Sequence, residues 1–189
     1  MRWTGQKTKL FCWLLATACL LTGCGFHLRG AVDLAPPLKR LYIETSEPYS
    51  ELTRNLQQYF RSSHVTLVGS PAEASSVLEI ISENASQQLL SVGGTQQTRQ
   101  YNLNLAVTFQ VTTPQGVILV PAQTVTETQT LTVQADQILG GSNEQNNLYH
   151  QMRRAVVFTI MTRLSSQEAT ANVMRLAAPV KPVKKVNGQ

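Results

Sequence analysis

Two long stretches of strict alternation constrain this chain more than anything else in it. Tyr101, Leu103, Leu105, Val107, Phe109 and Val111 share one parity, and Asn102, Asn104, Ala106, Thr108 and Gln110 fill the other. A second run sets Thr124, Thr126, Thr128, Thr130 and Thr132 against Val125, Glu127, Gln129, Leu131 and Val133. Successive side chains of a strand point to opposite faces, so a sustained period of two means long strands with one buried face and one polar face. Pro114-Gln115-Gly116 turns the first strand into the second, and Pro121 marks a bulge or an edge position.

The remaining elements are read around that pair. Leu38–Thr45 alternates as a first strand. Ser46 is placed to cap a helix with Pro48 in its first turn, and Leu52, Leu56, Tyr59 and Phe60 follow at helical spacing. His64–Val68 is a short strand and Pro71–Ser75 one helical turn. Val77–Leu90 is strand-like at its start, and Gly93-Gly94 makes a turn. Asp136–Ser142 reads as a loop, with Ser142 or Asn143 capping a last helix and Glu144 in its electropositive first turn. The buried stripe of that helix is Leu148, Met152, Ala155, Val156, Thr159, Ile160 and Leu164. Two one-sided helices need an apolar sheet face to cover. The expected fold is therefore α+β: a two-layer sandwich, two helices packed on one face of a mixed, roughly four-stranded sheet, with the other face free.

The N-terminus carries a different kind of signal. Arg2, Lys7 and Lys9 precede an apolar run from Leu10 to Leu21, too short for the roughly 20 residues of a spanning helix. Leu21-Thr22-Gly23-Cys24 then stands where a bacterial lipoprotein signal is cleaved. The reading is a signal peptide over 1–23, with Cys24 carrying a diacylglyceryl group and an N-acyl chain as a durable anchor. Gly25, rather than Asp, follows the cysteine, which by the lipoprotein sorting rule directs the chain to the outer membrane. The expected organisation continues with a lipidated tether over 24–37, the α+β domain over 38–168 and a disordered basic tail over 169–189.

Removing the signal leaves no free cysteine, because Cys12 and Cys19 go with it and Cys24 holds lipid. Excess positive charge belongs to the two ends, so the domain shows no nucleic-acid footprint. His27, His64 and His150 have no metal-ligand spacing, and no nucleophile motif or phosphate loop appears. No catalytic residue, metal or cofactor is expected beyond the lipid on Cys24, and the chain does not read as an enzyme. Charged residues make up only 14% of it, against about 25% in ordinary soluble proteins. An exposed face built from Thr124, Thr126, Thr128, Thr130, Asn102 and Asn104 is either a permitted polar surface or one covered by a partner, and it would match the polar interior of a membrane β-barrel.

Cys24-Gly25-Phe26-His27-Leu28-Arg29-Gly30 resembles the mature start of the LPS-assembly lipoproteins of the LptE (RlpB) family. Asn143-Glu144-Gln145 and Arg153-Arg154-Ala155 extend the resemblance, which covers about residues 24–165. It implies an α+β sandwich that plugs the lumen of the outer-membrane barrel LptD, helps that barrel assemble and contacts lipopolysaccharide. The competing class is an outer-membrane-anchored scaffold or activator lipoprotein that regulates a periplasmic envelope enzyme. Relatives place basic residues in the loop after the third strand and in the loop before the last helix. Here those segments run Leu89–Gly94 and Gln137–Ser142, and Arg99 at the edge of the first is their cation. Leu89, Leu90, Val92, Ile138 and Leu139 are expected as apolar loop tips facing acyl chains or barrel wall, or else as sheet-end packing. Arg153 and Arg154 read as a solvated helix face, and Arg29 as a contact to anionic headgroups.

Overall fold

The computed structural model describes residues 34–94, 98–134 and 138–177. The signal stretch, the Cys24 motif, Arg29 and the basic residues 181–185 lie outside these. Strands β1 (Arg40–Thr45), β2 (Thr66–Leu67), β3 (Ser76–Val92), β4 (Thr98–Thr112) and β5 (Ile118–Gln134) form one sheet in the order β2-β1-β3-β4-β5. β1 is parallel to β2 and β3, whereas β3, β4 and β5 are successively antiparallel. The helices are α1 (Glu51–Ser62), α2 (Ile138–Leu164) and α3 (Gln167–Ala177). The expected α+β sandwich is the fold the chain adopts, with five strands rather than four because the two-residue β2 joins the edge.

The alternation does what its period demands. Leu103, Leu105, Val107, Phe109 and Val111 are all fully buried and cluster with Leu52, Leu56 and Phe60 of α1 and Met152, Val156 and Ile160 of α2. The threonine row of β5 is exposed on the opposite face. Thr108 and Thr124 share a hydrogen bond of 2.9 Å across that face.

α1 begins a turn later than the expected cap at Ser46. Ser50 accepts from the Thr53 amide at 3.1 Å, and the buried Thr53 hydroxyl donates to the Glu47 carbonyl, which folds residues 47–50 into a turn around Pro48. Tyr59, expected in the stripe, is exposed, and Thr53 is buried instead. The helix closes with Val65 donating to Phe60 O and His64 to Arg61 O, a Schellman pair with His64 at φ +60°, where glycine is usual.

Three boundaries move. Leu34 and Ala35 are buried and Pro36–Lys39 forms a 3₁₀ turn, so packing starts inside the expected tether. Residues 169–177, read as the start of a disordered tail, belong to helix α3, which rests on that 3₁₀ turn and on β5. Its single fully buried residue, Val173, leaves no stripe for a periodicity reading to find. α2 starts at Ile138 rather than at a Ser142 or Asn143 cap. Gly141 faces Val133 so closely that a Cβ would sit 2.8 Å from its Cγ1, and this glycine, placed in a loop by the sequence reading, is what lets the helix lie against the sheet. α2 also packs on α1, which widens its buried arc to include Val157 and Met161.

Candidate functional site

β1 makes its last pairing, Thr45 with Ile80, where β3 is less than half complete. A bulge between Ile80 and Ser82 follows, and β3 continues to Val92 with β4 as its one neighbour. Leu89, Leu90 and Val92 are thus strand residues, not loop tips. They are 50%, 54% and 46% exposed. The register sets Leu89 opposite Tyr101 and Val92 opposite Arg99, with Tyr101 opposite Leu131 and Arg99 opposite Val133. Directly paired residues share a face. Leu89, Val92 and Arg99 therefore lie on the helix side of the sheet, whereas Asn102, Asn104 and the threonine row lie on the other. The sequence reading put the polar row on a sheet face and the apolar set with Arg99 on a loop; the fold carries both on the sheet, on opposite faces.

Between this strand tip and the first turns of α2 lies a cavity of about 260 Å³, lined by Gln87, Arg99, Tyr101, Leu131, Val133, Gln134, Gly141, Ser142 and Gln145. Its floor is aromatic and aliphatic, its rim carries amide and hydroxyl groups, and Arg99 supplies the cation. A site of that kind suits an amphiphile with an anionic group beside an alkyl chain. Sequence reasoning found Arg99 and missed the rest, because α2 had been started too late to reach the tip. Ile138 and Leu139 have helical backbone, which removes them from the loop to which they were assigned, and their side chains lie outside the described residues.

Arg153 is not a solvated helix residue. It donates to Glu83 Oε1 of β3 at 2.8 Å and to Glu51 Oε2 of α1 at 3.2 Å, and His150 Nδ1 meets the same Glu51 oxygen at 2.5 Å. Arg154 is exposed. One turn before Arg153, the Tyr149 hydroxyl donates to the Ser86 carbonyl at 2.9 Å. Burial pushes the Tyr149 phenol pKa up, and the nearby Arg153 charge offsets this in part. These contacts hold β3 to α2 beyond the end of β1. Among the described residues no group of His, Cys, Asp and Glu could hold a metal, and no helix is long and apolar enough to cross a membrane.

This sandwich belongs to a class of α+β fold already seen in solved structures. Two solved structures share it: the uncharacterized lipoprotein B of Nitrosomonas europaea and the rare lipoprotein B of Shewanella oneidensis. The first superposes with TM-score 0.64 at 21% identity over 80% of this chain and 96% of that one. The second gives 0.60 at 24% over 69% and 97%. Within the class, the sequence model of the LptE lipopolysaccharide-assembly family matches residues 38–164, and the chain belongs to that family. It is 39% identical over 111 residues to the LPS-assembly lipoprotein LptE of Yersinia enterocolitica, and 34% over 114 residues to that of Photorhabdus laumondii. These alignments cover 58% and 60% of this chain and 54% and 63% of the relatives.

Proposed function

We propose that the chain is a lipoprotein of the outer membrane, acylated at Cys24, that seats its sandwich in the lumen of the LptD barrel and supports the assembly of lipopolysaccharide into the outer leaflet. The observation that carries this is the broad uncharged face of β4 and β5 in a member of the LptE family. Thr124, Thr126, Thr128, Thr130, Asn102 and Asn104 offer hydrogen bonds without charge, which is what the polar wall of a barrel interior accepts. Lipopolysaccharide is met at the other side of the tip, with Arg99 toward phosphate and Leu89, Val92, Tyr101 and Val133 toward acyl chains. The role is one of binding and positioning, with no bond made or broken by this chain.

The test is recovery of the barrel. Tagged full chain extracted from outer membranes in mild detergent is expected to bring down a large β-barrel in equal amount. Thr126→Lys with Thr128→Lys should abolish that recovery, since both positions are exposed and the fold tolerates them. Normal recovery of the barrel by the double variant would overturn the docking face. Recovery of a periplasmic enzyme in place of any barrel would favour a regulatory lipoprotein.

A further inference from the structure

The contacts to barrel and lipopolysaccharide leave the basic C-terminal stretch unused. After Glu168 the sequence holds no acid, and it runs through Arg175 into Pro179-Val180-Lys181-Pro182-Val183-Lys184-Lys185-Val186. Valine recurs there at every third position, each time beside a lysine. Residues 178–189 lie outside the described residues, but the point at which the chain passes into them is defined by α3.

α3 crosses the end of the sandwich opposite the tip. Its Glu168, Ala169 and Asn172 line a cavity with Leu119, Val120 and Pro121 at the start of β5, and the helix rests on the 3₁₀ turn Pro36–Lys39. That turn is tied to the start of β3, where the Ser76 hydroxyl donates to the Pro37 carbonyl at 2.9 Å. Val173 is buried in the same core as Leu34, and Ala177 packs against it. The chain thus enters the fold and passes beyond Ala177 at one end.

Reach excludes the tip cavity as the partner of the lysines. From Thr112, paired with Ile118 at this end, back to Arg99 is about 13 residues of β4, or about 43 Å at roughly 3.3 Å each. The stretch from Ala177 to Lys185 spans at most about 29 Å. From Cys24 to Leu34 the span is at most about 36 Å, so an acyl group on Cys24 keeps this same end close to the leaflet. Described side chains continue the pattern: Met174 and Leu176 are 49% and 42% exposed, and Arg175 between them is exposed. Apolar groups interleaved with cations and free of acids suit an anionic lipid–water interface, which takes the first into its boundary and pairs the second with phosphate.

We infer that the basic stretch 181–185 lies on the anionic phospholipid headgroups of the leaflet that holds the Cys24 anchor, with Met174, Arg175 and Leu176 at its margin. The placement rests on the lipid-anchored reading of Cys24. Two attachments at one end, acyl chain and lysines, hold that end on the leaflet and direct the tip away from it. The contact needs no barrel, so it is tested with none present.

The full chain with Gly188→Cys, whose thiol stands alone once Cys24 is acylated and the signal removed, is purified in mild detergent and labelled there with a fluorophore. It is reconstituted into phosphatidylcholine vesicles with and without phosphatidylglycerol, a fraction of the headgroups carrying a nitroxide quencher. Strong quenching is expected with phosphatidylglycerol and weak quenching without it. Each lysine near an anionic surface contributes about fivefold. Glutamine at 181, 184 and 185 should therefore lower the ratio of bound to free stretch about a hundredfold, whereas arginine at all three should keep it. Raising salt from about 0.1 M to about 1 M shortens the screening length from about 10 Å to about 3 Å and should release the stretch. Quenching that ignores lipid charge, survives the three glutamines, or appears only when lipopolysaccharide replaces phosphatidylglycerol would overturn the proposal. Flotation with neutral vesicles reads the acyl anchor separately. Every variant should float, and a chain that does not would overturn the anchor, while lysine dependence on anionic vesicles still decides the basic stretch.

Discussion

β3 is two different objects along its length. From Ser76 to Ile80 it lies between β1 and β4, and Val77, Leu78 and Ile80 are buried. From Ser82 to Val92 it has lost β1, and its apolar residues Leu89, Leu90 and Val92 stand half in solvent. Both halves pair with the same β4, so the ladder is not what distinguishes them. What differs is the covering layer: Leu78 and Ile80 join the core beneath α1 and α2, while single side chains of α2 hold the second half. Packing makes the first half a stable platform, and a few polar contacts leave the second as a projecting, chemically addressable tip.

Substitutions should grade along that divide. Leu78→Ala in the packed half is expected to cost about 2–5 kcal/mol, read as a lower midpoint in urea unfolding. A cost under about 1 kcal/mol would mean the packed half is no firmer than the tip. Arg153→Ala strands Glu83 and leaves Glu51 with His150 alone, each carboxylate about a fifth exposed, and should cost about 2 kcal/mol. Hydrogen exchange should localise that loss, with amides of residues 82–92 exchanging faster and those of 76–80 unchanged. An even loss across both halves would show that Arg153 supports the whole fold.

Tyr149→Phe removes the bond to Ser86 and should cost about 0.5–1.5 kcal/mol near neutral pH. The effect has a pH signature. The folded phenol pKa lies above the unfolded value of 10.0, so its contribution is intact below about pH 10 and is lost as pH rises through the folded value. The Phe variant should therefore lose less stability than the parent between pH 9 and pH 11 in matched denaturations, and equal losses would remove Tyr149 from the alkaline behaviour. Leu89→Ala, half exposed, should change stability by no more than about 0.5 kcal/mol. A larger loss would make Leu89 a packing residue rather than an offered one.

The sequence by itself determined the sandwich. Alternation from Tyr101 to Val111 and along the threonine row has one solution, and the stripes through Leu52–Leu56–Phe60 and Met152–Val156–Ile160 supply the covering layer. Those are local periodicities, set by how side chains leave a backbone, and they survive translation into three dimensions. The sequence also marked Arg99 as the cation of the tip.

Only tertiary structure decided what Arg99 stands beside. That depends on where β1 stops, on a bulge at Ile81 and on a helix that begins at Ile138 because Gly141 admits Val133 at close range. None of these leaves a period to read. α3 and Arg153 escaped for the same reason: Val173 is one buried residue without a stripe, and an arginine between two glutamates from distant elements looks, in sequence, like any surface arginine. A period reports the face that each element buries by itself; closeness between elements arises only when they are packed.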